Sequence, residues 1–277
     1  MNKSILLDAE EIKRTEGLIE ENHLKKVNLT NEYELLRVKD KDLNIVLYKS
    51  GKLVHNGNNA AIKFLNDILR KEENYDYILG SDETGKWEWF GPLVVVANAL
   101  KPDEILQLRK LGVMDSKDIK KPKLLKLAKN IIKMDFIRYS IVLTPKTYNE
   151  YYHEFHKENK SLNDLMAWAH FKVIKELLDR TKFINAKLVI DQFDFKKMEY
   201  HLQKIDKTNL EIIQKTGGES ETPVATASII VKYLFEKEVD KLDKRYGLNL
   251  RDSNPGDIDQ EILPEVAKIH FKNVKNM

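Results

Sequence analysis

The sequence predicts an α/β protein, a mixed sheet flanked by helices, preceded by a small α+β module. Three observations carry this expectation. Apolar strand-like runs at 76–80 and 92–99 lie close enough along the chain to form a hairpin. Further runs at 136–143, 187–192 and 209–214 alternate with helical patterns, the order expected of a sheet covered by helices. Ahead of them, a helix, a strand pair and a second helix can be read before residue 70.

Taken in order, Ile12, Leu18 and Ile19 predict a helix near residues 8–24. Alternation in Leu43-Asn44-Ile45-Val46-Leu47-Tyr48 predicts a strand, and Ser50-Gly51-Lys52 a hairpin turn into Leu53-Val54. Ala61, Phe64, Leu65, Ile68 and Leu69 recur at helical spacing after the capping pair Asn58-Asn59. The charged stretch Arg70-Lys71-Glu72-Glu73-Asn74 marks a boundary between domains at 1–72 and 76–277. Beyond it, helices are expected at 103–111, 122–133, 145–155, 161–181, 195–204 and 221–244. A last helix is expected near 259–272, after the loop Arg251-Asp252-Ser253-Asn254-Pro255-Gly256-Asp257. Helix 122–133 turns Leu124, Leu127, Ala128, Ile131 and Ile132 inward. Its lysines face outward, as a solvated face or as a track for a phosphate backbone.

Composition narrows the function classes. Of 277 residues, 42% are hydrophobic and 33% charged, so the chain can bury a core and is not disordered. The longest apolar runs, such as Leu93-Val94-Val95-Val96-Ala97, are too short to cross a bilayer. The first residues lack a secretory pattern, so a cytoplasmic location without a membrane is expected, with a monomeric chain. The absence of cysteine excludes disulfide scaffolds, thiolate zinc sites and thiol nucleophiles. A net charge of +3 does not announce a nucleic-acid binder, so that reading must rest on particular residues. His153 and His156 offer no third zinc ligand and are expected to lie on the surface or in helix packing. No Gly-x-Ser-x-Gly elbow supports serine hydrolase chemistry.

The most informative stretch is Gly80-Ser81-Asp82-Glu83-Thr84-Gly85-Lys86-Trp87. Its glycine spacing suggests a phosphate-cradling loop, but Trp87 stands where a magnesium-binding hydroxyl is needed, and two acids occupy the cradle. Read instead as adjacent acids at a strand end, Asp82 and Glu83 can converge on a hard cation if a turn begins there; the alternative is a solvated turn. The run Lys187-Leu188-Val189-Ile190-Asp191 ends in a third acid, either a ligand at a strand's carboxyl end or a helix cap. Gly217-Gly218-Glu219-Ser220-Glu221 supplies a further acid, or simply charge at a helix start. Acids after three strands resemble a two-metal phosphodiester site, in which two Mg²⁺ about 4 Å apart activate water and stabilise the leaving oxyanion. Lys86 is placed to meet a phosphate, and Asp115-Ser116-Lys117 lies in a loop before the lysine-faced helix.

These pieces together resemble the ribonuclease HIII family, within the type 2 ribonucleases H. The resemblance runs through residues 80–86, Phe90-Gly91-Pro92-Leu93, Gly112 to Lys117, Leu162 to His170, Asp191-Gln192-Phe193 and Glu219 to Ile230, in order. Tyr48-Lys49-Ser50-Gly51-Lys52, with the distal Gly57, is similar to that family's TBP-like substrate-binding module. The resemblance implies an RNase H-like fold and Mg²⁺- or Mn²⁺-dependent cleavage of the RNA strand in RNA–DNA hybrids, leaving 5′-phosphate and 3′-hydroxyl ends. It assigns the catalytic, metal-holding acids to Asp82, Glu83, Asp191 and Glu219, with Glu221 as the alternative fourth. Substrate contacts fall on Gly85, Lys86, Trp87, Ser116, Lys117, Tyr48 and Lys49. Trp87 departs from the family, which has glycine there; its indole either blocks the approach to the ribose or stacks on sugar or base. Two rivals remain open, a hybrid-binding protein with impaired catalysis and a DNA-directed nuclease on the same fold.

Overall fold

Alternate burial along short strands builds the first of two units. In this computed structural model, which describes residues 3–69, 75–113 and 120–275, the unit comprises β1 (Lys3–Leu6), α1 (Ala9–Glu21), β2 (Glu34–Asp40), β3 (Leu43–Tyr48), β4 (Lys52–His55) and α2 (Asn59–Leu69). The strands form an antiparallel sheet in the order β1-β4-β3-β2. Leu36 and Val38, then Leu43, Ile45 and Leu47, then Leu53 point to one face, where Ile19, Phe64, Leu65 and Ile68 of the helices cover them. The Asp8 carboxylate caps α1 by accepting from the amides of Glu10 and Glu11, and Glu11 reaches back to the Asp8 amide. Sequence patterning found β3, β4 and both helices. It missed β1, which is four residues long, and β2, whose outward positions hold Arg37 and Lys39 beside the exposed Leu35.

A helix from later in the chain belongs to the same unit. Residues 102–113 group with the N-terminal residues, and α3 (Pro102–Lys110) places Leu106 against their core. Arg109 is 6% exposed and forms a two-pronged ion pair with Glu11, itself 1% exposed. It also donates to the Leu6 carbonyl at 3.1 Å. The boundary stretch 70–74 lies outside the described residues.

The second unit contains β5 (Tyr77–Thr84), β6 (Leu93–Leu100), α4 (Lys121–Ile132), β7 (Ile137–Leu143), α5 (Pro145–Lys157), α6 (Leu162–Arg180), β8 (Ala186–Asp191), α7 (Phe195–Leu202), β9 (Leu210–Lys215) and α8 (Thr222–Tyr246). Its sheet runs β7-β6-β5-β8-β9, antiparallel through β5 and parallel from β5 to β9. All eight residues of β6 are buried, as a central strand covered on both faces requires. Leu79, Ala97, Ala167, Val173 and Leu188 share a core on the α6 side. Gly80, pointing the other way, lies directly under Pro223 and Val224 at the start of α8. The mixed, helix-flanked sheet expected from sequence is therefore present, with α4 burying Leu124, Leu127, Ala128 and Ile131.

The last helix expected near 259–272 does not form. In its place are two single turns, Leu263–Val266 and Lys272–Lys275. Pro264 fits only a helix start, and the chain beyond it pairs with another segment instead: Phe90 and Ala267 form an antiparallel bridge, and the Lys268 amide donates to the Trp89 carbonyl at 2.7 Å. Among the described residues no helix is long and apolar enough to cross a membrane.

Candidate active site

Strand register brings the acids together. The parallel pairing of β5 with β8 ends at Ser81 opposite Ile190, so Asp82 and Asp191 follow at the same level on neighbouring strands. Side chains in register on parallel strands share a face, here the α8 side, to which Gly80 also points. Beyond β9, Gly217 takes φ +72° and a short turn follows over Gly218–Ser220. A Cβ on Gly218 would meet the Asp191 Cα at 3.0 Å, tighter than ordinary contact, so glycine favours the close approach in which the Gly218 amide donates to the Asp191 carboxylate at 2.8 Å. That turn carries Glu219.

Glu83 behaves differently. The expectation that a turn begins at the acidic pair fails, because β5 stays paired with β6 as far as Thr84. Consecutive strand residues face opposite ways, so Glu83 turns towards α6. There its carboxylate meets the His170 Nε2 at 3.1 Å, and the His170 Nδ1 lies 2.6 Å from the Ser81 hydroxyl. His170 is fully buried and stacked on Phe193 at 5.1 Å. Lys86 Nζ stands 3.9 Å from the other Glu83 oxygen.

The electrostatics follow these neighbours. Burial, then the charges of Glu83 and Asp191, push Asp82 up to about 8, against the opposing hydrogen bond from Ser228 on α8. Burial also raises Asp191; the amides of Gly218 and Gly217 oppose it, while Glu219 and Glu83 reinforce it. Burial raises Glu83 as well, but the His170 hydrogen bond and charge and the nearby Lys86 outweigh it and hold Glu83 below the usual carboxylate range. Asp82, Glu83 and Asp191 therefore lie within electrostatic reach of one another, and Glu219 within reach of Asp191.

Among the described residues no three acidic or histidine side chains are gathered tightly enough to enclose one ion. Each of three carboxylates is instead turned to a protein partner: Asp82 to the Glu83 amide at 2.8 Å, Glu83 to His170, and Asp191 to Gly218. The donor set, all carboxylate oxygen and mutually repelling, is one that suits a hard divalent cation. Glu221 is placed otherwise, pairing with Lys215 at 2.7 Å where α8 begins.

The remaining predicted residues divide into three groups. Gly85 takes φ +87° as the chain leaves β5. Lys86 Nζ sits 5.1 Å over the Trp87 ring, which is 79% exposed. Tyr48 and Lys49 belong to the first unit, Tyr48 ending β3 and the Lys49 amide donating to Tyr33. Ser116 and Lys117 lie outside the described residues. Sequence reasoning assigned no role to His170, Ser81 or Ser228. His170 closes the Leu162–His170 segment, Ser81 lies within the 80–86 motif and Ser228 within the Glu219–Ile230 one, but nothing local marks His170 and Ser228 as carboxylate partners or Ser81 as the partner of His170.

A five-stranded sheet in this order, with acids where its central parallel strands end and another beside them, defines an RNase H-like nuclease. The ribonuclease HII family model matches residues 79–274. A ribonuclease HIII of Chlamydia pneumoniae is 35% identical over 251 residues, covering 82% of each chain. One of Chlamydia caviae is 32% identical over 264 residues, covering 87% of this chain and 86% of that one. The structure of Bst-RNase HIII in complex with Mn²⁺ superposes with a TM-score of 0.64 at 23% identity, over 99% of this chain and 97% of that one. The chain belongs to the ribonuclease HIII family and is, with it, a metal-dependent ribonuclease H.

Proposed function

We propose that this protein hydrolyses the RNA strand of RNA–DNA hybrids by two-metal-ion chemistry, leaving 5′-phosphate and 3′-hydroxyl ends. The observation that carries the proposal is the electrostatic coupling of Asp82, Glu83 and Asp191 at the ends of neighbouring strands, with Glu219 on the following turn acting on Asp191. These four residues hold Mg²⁺ or Mn²⁺; Mn²⁺ is the ion bound by the similar Bst enzyme. When bound, the ions supply an activated water and stabilise the departing oxyanion. The water oxygen bonds to phosphorus as the P–O3′ bond breaks, and the 3′ oxygen takes up a proton.

The chain's own groups position the substrate. Asp191 is oriented by glycine amides and Glu83 by His170, so neither carboxylate has to be ordered anew at each encounter. Lys86 lies beside the acids and neutralises a phosphate drawn to them. Gly85, held at positive φ with the Pro92 carbonyl where a side chain would lie, sets the turn whose backbone positions the ribose, and the exposed indole of Trp87 stacks on sugar or base. Ser116 and Lys117 hold the nucleic-acid backbone, and Tyr48 and Lys49 of the first unit add affinity. The protein acts as a cytoplasmic monomer.

A substrate panel tests this: RNA–DNA hybrid, duplex DNA, branched DNA and a duplex with one embedded ribonucleotide, each with Mg²⁺ and with Mn²⁺. Cleavage of the hybrid, absent in Asp82→Asn, is expected. Gel-shift binding of hybrid without cleavage in either metal would instead make this a binding protein in which Trp87 spoils turnover, and cleavage of DNA alone would overturn the substrate assignment.

A further inference from the structure

The segment after α8 has no sequence motif, yet it grips the loop that follows the acidic pair. The loop leaves β5 at Gly85, exposes Trp87 and returns to β6 through Pro92. Its base packs on α8, with Phe90 6.1 Å from the Phe235 ring and Arg251 lying over Phe90 at 5.8 Å. Its other side is held by the segment 266–268, with Lys268 making three of the contacts. The Lys268 Nζ donates to the carbonyls of Glu88 at 3.0 Å and Phe90 at 3.1 Å, and the Lys268 amide donates to the carbonyl between them, that of Trp89. The Gly91 amide completes the contact by donating to Val266 at 3.0 Å.

Lys268 is fully buried, and among the described residues no carboxylate stands within ion-pairing distance of it. Its remaining neighbour is the face of Tyr148, 5.6 Å from Nζ. Burying an ammonium costs several kcal/mol, which the more distant charge of Glu88 offsets only in part. A methionine would fill the same space without that cost, so core packing alone does not explain a lysine here. What the ammonium adds is hydrogen bonding directed at backbone carbonyls two and four residues beyond Lys86. Burial lowers its pKa to about 7, against the opposing charge of Glu88.

We infer that Lys268 is a positioning residue for substrate recognition, fixing the 88–90 carbonyls so that Lys86 and Trp87 meet the hybrid in a single conformation. This rests on the function proposed above. The test is steady-state hybrid cleavage by the full chain carrying Lys268→Met, with Lys268→Gln as a second variant that keeps N–H donors. Lys268→Met is expected to raise KM for hybrid about tenfold with kcat within about twofold of wild type, and Lys268→Gln to fall between. In a Lys86→Ala/Trp87→Ala background the same substitution is expected to change KM less than about twofold, because its effect passes through those side chains. A merely structural lysine would lower the active fraction, reducing kcat with KM unchanged, and its effect would persist in that background; either result overturns the inference. So does loss of folding in both variants, judged by circular dichroism. If wild type itself cleaves no hybrid, the functional proposal falls first. If wild type cleaves and Lys268→Met keeps the wild-type KM, only the role of Lys268 falls.

Discussion

Replacing Gly80 by alanine should damage stability and catalysis together. A Cβ built there would lie 2.3 Å from the Pro223 carbonyl carbon and 2.4 Å from the Val224 nitrogen, both backbone atoms at the start of α8. Ordinary contact begins near 3.4 Å, so the helix must retreat from β5 by roughly 1 Å, since no side-chain rotation relieves the clash. Overpacking of this kind costs about 1–3 kcal/mol. Because Ser228 on the same helix hydrogen-bonds Asp82, its loss adds about 1 kcal/mol. A total near 3 kcal/mol lowers the melting temperature of a unit this size by about 6–12 °C. The same displacement moves α8 relative to Asp82 and Asp191, and a 1 Å misplacement of reacting groups costs about 100-fold in rate. Thermal melting by circular dichroism and hybrid cleavage under saturating metal measure the two effects. Gly17→Ala is the control: nothing lies within 4 Å of its Cβ position on α1, and the substitution should be neutral or stabilise by up to about 1 kcal/mol. Wild-type melting and activity in Gly80→Ala would refute the inferred closeness of strand and helix.

Three further outcomes are expected. Glu219→Gln should abolish cleavage while Glu221→Gln retains it within a few-fold, because Glu219 acts on Asp191 whereas Glu221 is paired with Lys215; cleavage assays showing the reverse would exchange their roles. Asp82 has a folded-state pKa raised from 3.8 to about 8, so its protonation favours the folded state, and its contribution is full below pH 4 and lost as pH rises through 8. The melting-temperature advantage of Asp82→Asn over wild type in EDTA should therefore grow from pH 5 to pH 9, and Mn²⁺ should shrink it; a flat difference contradicts the raised pKa. Arg109→Met strands Glu11 at 1% exposure and should cost about 3–5 kcal/mol in urea unfolding of the first unit, and a loss under 1 kcal/mol would show the pair to be dispensable.

Most of the second unit's elements were legible because their signals are local. Apolar runs marked β5 to β9, and helical spacing marked α4 to α8. The failures share a cause in long-range contacts. The 259–272 stretch carries enough apolar residues for a helix, but its backbone donors and acceptors are taken by Trp89 and Gly91, which no local pattern reveals. Arg109 looks like an ordinary basic residue near a helix end, yet its partner Glu11 lies 98 residues away. Of the site, Asp82, Glu83 and Asp191 could be nominated because acids ending apolar strands are locally conspicuous. His170 could not: its partners lie 89 and 87 residues away, and on its own helix it reads as one more buried position.

Strand alternation also explains why two adjacent acids have such different surroundings. Glu83, facing α6, meets a buried histidine and a lysine, so the protein itself supplies much of its compensation. Asp82 and Asp191, facing α8, are met by a hydroxyl and by backbone amides, which are neutral donors. Glu219 brings more negative charge to that same side. The uncompensated charge therefore collects between β5, β8 and the turn before α8, where Lys215 is taken up by Glu221, while Lys86 sits across the strand beside Glu83. A divalent ion gains most where carboxylates are met only by neutral donors, which places the stronger attraction at Asp82 and Asp191 on the α8 side and leaves the phosphate to Lys86 across the strand.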